Sequence, residues 1–330
     1  MKGQDSKTSK PYAIDIADIH RAAAIIRPFV LRTAVVRAPV LDLQLKAELF
    51  FKCENHQHIG AFKARGACHA VFRLNLEQAA AGVVTHSSGN HAAALARAAT
   101  LRGIDAHIVM PHNSAPVKLN AVRQFGVKPT PCEPTAEARQ ETADRVAAET
   151  GATFVHPYND PWVMAGQGTA ALELLEQVAR LDAIVVPVGG GGLLSGTLVA
   201  VKALCPSIEV YAAEPAWADD AARSLKSGRR EPPLRYDTIA DGLRTPLGDL
   251  TFPIIRDLVK DVLLAEEADI RRATVQMARF ARLTVEPSAA VPLAAIDAYR
   301  EQFQGRRVGV VVSGGNLQPE LLAQWLAEPA

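Results

Sequence analysis

The chain has 330 residues, of which 48% are hydrophobic and 22% charged, and a formal net charge of +1. That length suits two packed units of an α/β enzyme, and the composition excludes a disordered chain. Near-neutrality excludes a dominant surface for nucleic acid or acidic membrane, which needs a concentrated basic excess. Arginines such as Arg229 and Arg230 are accordingly read as solvated loop charges.

In chain order, MKGQDSKTSKPY is polar, lacks the apolar core of a signal peptide, and is expected to fray from Met1 to about Pro11. No later stretch offers about eighteen unbroken apolar residues, so no membrane span is expected. Cys53, Cys68, Cys132 and Cys205 are far apart and form no CxxC pair. This argues against a disulfide framework or zinc knuckle and favours a reducing cytoplasm. QHIGAFKARGA then sets Lys63 between small and apolar residues, where a lysine is either a surface charge on a helix or a functional amine.

AGVVTHSSGN reads as a strand and turn leading into the helix HAAALARAATLRG, which Gly103 can cap. DAHIVMP is the next strand, and APVKLNAVRQFG is a helix ended at Gly126. DAIVVPVGGGG leads into LLSGTLVAVKALCP, SIEVYAAEP is a further strand, and RRVGVVVSGGN repeats the strand-to-glycine-turn theme. KSGRREPPLRYDTIADGLRTPL, Lys226 to Leu247, is the least regular stretch and reads as a long loop. Strands and helices alternating in this way predict a mainly parallel sheet with helices on both faces and ligands outside the strands' carboxyl ends.

VVPVGGGGLLSG is the most informative local motif. A strand ends, Gly189, Gly190, Gly191 and Gly192 expose main-chain N–H groups without Cβ obstruction, and a helix begins. This geometry favours a phosphate; the alternative is a turn that allows close helix–sheet packing. A P-loop would need a lysine after the glycines, where Leu193, Leu194 and Ser195 stand, and the GxGxxG fingerprint fails at Ser195. A cofactor with one phosphate fits better than a dinucleotide.

FKCENHQHIGAFKARGA resembles the lysine signature of the fold-type II (β-family) pyridoxal 5′-phosphate (PLP) enzymes, in particular the serine/threonine dehydratases, serine racemases and 3-hydroxyaspartate dehydratases. THSSGNHAAALA, PVGGGGLLSG, TIADGLR, FPIIRDLV, VEPSAA and SGGN fall in that family's order and at its spacings, from about Asp18 to Asn316. The resemblance implies an α/β fold with two open parallel-sheet domains, like the β subunit of tryptophan synthase. The large domain would comprise residues 1–79 and 156–330, and a small mobile domain residues 80–155. It also implies a homodimer in the cytoplasm, acting on a small-molecule amino acid and on neither nucleic acid nor membrane.

The same resemblance assigns roles. Lys63 would join covalently to PLP, the four glycines would cradle its phosphate, Ser313 would face the pyridine nitrogen and Asn90 the ring hydroxyl. Ser87, Ser88, Gly89, Asn90 and His91 would hold the substrate carboxylate, with Ser88 also exchanging a proton on the face opposite Lys63. Arg139 matches an arginine near the substrate entrance that could pair with a second carboxylate, the alternative being an exposed helix arginine. Glu214, Ala218 and Asp220 match a divalent-metal site suited to Mg²⁺, Mn²⁺ or Ca²⁺, the alternative being two surface acids after a strand. Ala61 stands where many relatives have serine.

The implied activity is an ammonia-lyase acting on 3-hydroxyaspartate, L-serine or L-threonine, with racemisation as the alternative. A β-replacement enzyme and a non-catalytic nucleotide-binding protein are less favoured. The chain ends soon after SGGN, from which no C-terminal regulatory domain is expected.

Overall fold

Valine and isoleucine runs that have helices available for both faces form buried parallel strands, and the chain builds two sheets from them. The computed structural model describes residues 11–328; the fraying expected over residues 1–10 lies outside them. Among the described residues the strands of the first half are β1 (Val35–Val36), β2 (Glu48–Cys53), β3 (Val83–His86), β4 (Ala106–Pro111) and β5 (Thr130–Cys132). Those of the second half are β6 (Thr153–Phe154), β7 (Ala183–Pro187), β8 (Glu209–Pro215), β9 (Asp261–Ala265) and β10 (Arg307–Val312). The larger sheet has the order β1-β2-β10-β7-β8-β9 and the smaller β5-β4-β3-β6. Every pairing is parallel except β1 with β2.

Side chains alternate across the large sheet, so Ala183 and Val185 join one core while Ile184 and Val186 join the other. The first core takes Leu41, Ile270 and Leu293 from helices Pro39–Leu45, Glu267–Gln276 and Pro287–Ala298. The second takes Ile19, Met164, Leu198 and Ile254 from helices Ile16–Ile26, Pro161–Gln177, Gly192–Leu204 and Thr251–Leu258. Around the small sheet, Val71 of helix Lys63–Phe72 and Leu95 of helix Asn90–Arg102 pack with Val83 and Ile108. Helix Ala136–Thr150 covers the opposite face through Ala143 and Val146. Of the stretch Lys226–Leu247 read as a loop, residues 228–240 carry no helix or strand, but Lys226 and Ser227 end the helix Asp220–Ser227 and Asp241–Leu243 form a 3-10 turn. Gly103 ends its helix in the left-handed conformation at φ 71°. The π-helix at Met277–Ala281, closed by Arg282 at φ 60°, was not expected.

One charged cluster lies in the interior. Arg65 is fully buried, two residues after Lys63, and forks onto Glu54 through Nε at 2.7 Å and Nη2 at 2.8 Å. Its Nη1 and Nη2 also reach Glu173, at 2.7 and 2.8 Å. Lys52 Nζ donates to the same Glu173 at 2.6 Å, to Thr33 O at 2.8 Å and to Gln177 Oε1 at 2.9 Å. The cluster ties β2 and the turn after it to helix Lys63–Phe72 and helix Pro161–Gln177. Arg65→Met should strand the buried Glu54 carboxylate and lower unfolding stability by about 3–5 kcal/mol, read as a lower urea midpoint. A change within about 1 kcal/mol, the range of a surface ion pair, would contradict this.

Candidate active site

Three neighbouring parallel strands end side by side and deliver three loops to one place, the edge where open α/β sheets bind ligands. After β2 the chain passes through Ile59 at φ 59° and Gly60 at φ 70° to Lys63. After β10 come Ser313 and the glycine turn, and after β7 comes Gly189–Gly192. The first two loops are stitched together by Phe62 N–H to Ser313 O at 3.0 Å and Gly315 N–H to Gly60 O at 2.9 Å. Ala61 is fully buried and bridges to Gly314.

Lys63 is the first residue of its helix, where the positive end of the helix dipole disfavours a cation. Its side chain keeps some accessible surface, but the amine is enclosed, and burial pushes it down to about 8, with the charge of Glu286 pulling the other way. The amine donates to Pro157 O at 2.6 Å. His156 holds that carbonyl's loop, its Nδ1 accepting N–H bonds from Tyr158 at 3.2 Å and Asn159 at 2.9 Å. Burial first, then the charges of His86 and Lys63, push His156 down to about 4. The imidazole therefore stays neutral and able to accept.

The glycine turn is bare by necessity. A Cβ on Gly190 would lie 2.3 Å from the Tyr158 ring, one on Gly189 2.9 Å from Leu243 Cα, and one on Gly191 2.8 Å from Thr251 Oγ1. Gly191 also sits at φ 90°. Thr251 Oγ1 occupies the Gly190 carbonyl at 2.8 Å. The first N–H groups of helix Gly192–Leu204 have no intrahelical acceptor. Donors without opposing acceptors at a helix N-terminus fit a phosphate monoester, and the adjacent low-pKa amine fits an aldehyde. The residues present thus suit PLP.

The third side comes from the small sheet. Helix Asn90–Arg102 follows β3 with Gly89 as its N-cap and no side-chain cap, so Ser87 and Ser88 are not spent capping it. Ser87 Oγ accepts from Gly89 N–H at 3.3 Å, and Ser88 is half-buried. The His91 side chain points inward: it is 2% exposed, and Nε2 pairs with Val155 O at 3.2 Å. Its Nδ1 is buried with no hydrogen-bond partner among the described residues. Asn90 Nδ2 donates to both oxygens of Glu286, at 3.0 and 3.2 Å, and Asn316 Nδ2 donates to Asn90 Oδ1 at 2.8 Å. Burial, reinforced by Asp241, pushes Glu286 up to about 7 against the Asn90 bond. Glu286 lies within VEPSAA yet received no role from sequence, because an acid before Pro287 looks like an ordinary residue ahead of a helix.

Two predicted groups stand apart from this cluster. Arg139 lies half-buried on helix Ala136–Thr150, its Nε donating to Thr135 O at 3.1 Å, and its charge reaches His86 at the end of β3. Glu214 ends β8 beside Asp220, each 1% exposed, so neither is a surface acid; Ala218 between them is equally buried. Glu214 accepts N–H bonds from Ala221 and Ala222 at 2.8 and 2.9 Å. Burial pushes Glu214 well up and Asp220 to about 6. Among the described residues no three His, Cys, Asp or Glu side chains gather as a metal cluster. A cation there would therefore draw on two carboxylates, main-chain carbonyls and water. The acids' burial without a bonded Lys or Arg among the described residues suits a hard cation.

The two parallel-sheet α/β units are those of a fold-type II enzyme, and the enclosed Lys63 amine and the bare glycine turn fit its cofactor. A family model described as pyridoxal-phosphate dependent enzyme matches residues 26–314, and the chain belongs to that family. It is 49% identical over 305 residues to the beta-hydroxyaspartate dehydratase of Paracoccus denitrificans (strain Pd 1222), covering 92% of this chain and 97% of that protein. It is also 49% identical to the serine racemase of Arabidopsis thaliana, covering 93% and 94%. Among solved structures, maize serine racemase superposes with a TM-score of 0.93 at 46% identity, covering 95% of this chain and 97% of the other. The serine racemase of Dictyostelium discoideum superposes with a TM-score of 0.88 at 43% identity, covering 93% and 99%. A threonine deaminase from T.th. superposes with the same TM-score of 0.88 at 39% identity, covering 92% and 99%. PLP is thus the cofactor, and no helix among the described residues is long and apolar enough to cross a membrane.

Only a neutral amine attacks an aldehyde, and Lys63 is protonated below its depressed pKa. PLP uptake by the apoprotein, followed by absorbance, should accelerate as pH rises through about 8 and then level off. Lys63→Ala should show no such covalent phase. A rate still rising steeply towards the ordinary lysine value would contradict an enclosed amine.

Proposed function

We propose that this protein is an ammonia-lyase that converts a β-hydroxy amino acid, with 3-hydroxyaspartate foremost, to the oxo acid and ammonia. The observation that supports this reading is the enclosed Lys63 amine, bonded to the Pro157 carbonyl next to Tyr158, whose ring packs on Gly190. The similarity to a beta-hydroxyaspartate dehydratase and to threonine deaminase supports the reaction class. Serine racemases are as similar, and the serine at position 88 favours racemisation as a second activity of the same site.

Lys63, Gly189–Gly192, Ser313 and Asn90 would hold PLP, which when bound supplies an electron sink next to the substrate's α-carbon. The main-chain N–H groups and hydroxyls of Ser87–His91 bind the α-carboxylate, aided by the helix N-terminus behind them. Arg139 faces the second carboxylate of hydroxyaspartate. Lys63 Nζ, neutral near pH 8, removes the α-proton, and the β-hydroxyl departs with a proton as water. Water returns at the α-carbon as ammonia leaves, so hydroxyaspartate gives oxaloacetate, serine pyruvate and threonine 2-oxobutanoate. Ser88 Oγ on the opposite face can exchange the α-proton and invert the centre.

Residues 80–155 form the small domain in this reading, closing on residues 1–79 and 156–330 to exclude water. The working unit is a homodimer. Glu214, Asp220 and the Ala218 carbonyl hold Mg²⁺, or Mn²⁺ or Ca²⁺, next to the loop that covers the cradle.

An assay of L-serine, D-serine, L-threonine and the four 3-hydroxyaspartate isomers should give most oxo acid and ammonia from a hydroxyaspartate isomer, and none with Lys63→Ala. Racemisation alone would overturn the lyase reading, and serine outpacing every hydroxyaspartate isomer would remove the role of Arg139. Mg²⁺ should raise the Tm of the wild type and leave that of Glu214→Gln unchanged; equal shifts would place the cation elsewhere.

A further inference from the structure

Glu286 is a buried acid, 6% exposed, and is not used in the steps above. Both its oxygens accept from Asn90 Nδ2, and the Asn316 main-chain N–H also points to its carboxyl. Asn316 then reaches round with its own side chain, donating to Asn90 Oδ1 at 2.8 Å and to Ile59 O at 2.9 Å. The space is shaped for this carboxyl: a Cβ on Gly314 would come within 2.5 Å of Glu286 Oε1, and the glycine of ADGLR, Gly242, lies 3.8 Å from it by the same measure. Three glycine-bearing motifs that lie far apart in sequence therefore converge on one acid and one amide.

A carboxamide has one acceptor oxygen and two N–H donors. In Asn90 the oxygen is taken by Asn316, and one N–H is shared between the two Glu286 oxygens. One N–H is left over, and its direction is fixed. A flipped amide would set nitrogen against the Asn316 donor and oxygen against the Glu286 oxygens, which an ionised carboxylate cannot satisfy.

Resting on the PLP reading above, we propose that Glu286 is a positioning residue that acts through Asn90, selecting the one amide orientation that offers the remaining N–H to the ring hydroxyl of the cofactor. Asn316 is the counterpart on the other side of the amide. Glutamine at 286 keeps the shape but can present its own N–H₂ to Asn90, so the flipped pair becomes possible.

The test uses the holoenzymes of wild type, Glu286→Gln, Asn90→Ala and the double variant, reading the PLP dissociation constant and the cofactor's long-wavelength absorption band. Loss of one directed hydrogen bond should weaken PLP binding about tenfold in Glu286→Gln and move the band towards the near-ultraviolet. Asn90→Ala should do the same, and the double variant should be no worse than Asn90→Ala alone. Multiplicative losses in the double variant would show that Glu286 acts independently of Asn90 and would overturn the proposal. If Glu286→Gln does not fold, Asn316→Ala, at a more exposed position, should move the band in the same direction, and an unmoved band there would overturn it. Wild-type protein that takes up no PLP sinks the functional reading as well, whereas normal uptake with an unchanged Glu286→Gln band sinks this inference alone.

Discussion

The site depends on the unfavourable placement of one positive charge. Lys63 stands at the first position of a helix, at the positive end of its dipole, with its amine enclosed, bonded to the Pro157 carbonyl and with no carboxylate in contact among the described residues. Lys52, eleven residues earlier, is also out of water, but Glu173, Gln177 and Thr33 O surround its ammonium. The two lysines share burial and differ in company. A carboxylate in contact keeps Lys52 a structural cation; the lack of one leaves Lys63 an amine able to lose its proton near neutrality.

Such a charge stays where it is put only if its backbone cannot relax. The stitching of the Gly60–Phe62 segment to Ser313–Gly315 fixes the loop from one side, and the Arg65 fork onto Glu54 and Glu173 fixes the helix. Parallel strands bring these segments together at their carboxyl ends, which is also where the glycine turn opens its N–H groups. Each of the four glycines has a steric reason, so the conformational freedom they lose on folding secures a cradle into which Tyr158, Leu243 and Thr251 pack closely.

Local features of this arrangement were legible in the sequence. Valine runs before glycine turns marked the parallel strands, and the lysine, serine–asparagine and glycine motifs marked the residues around the cleft. What the sequence did not disclose depends on contacts between distant segments. Glu286 meets Asn90 across 196 positions, and Lys52 meets Glu173 across 121. Neither pair has a local signature, since an acid before a proline and a lysine within a strand are each ordinary alone. Glu214 and Asp220 could equally have been surface acids, and only their burial separates the two readings. Tyr158 carried no signal either, because its ring matters through the glycines it covers.

Everything at the site turns on Lys63, among all lysines of the chain, carrying the cofactor covalently. Borohydride reduction of the PLP-loaded protein, followed by proteolysis and mass spectrometry of the peptides, measures this directly. One pyridoxyl-modified peptide, containing Lys63, is expected at close to one label per chain. A label on Lys52, Lys118 or another lysine instead, or no label at all, would contradict it.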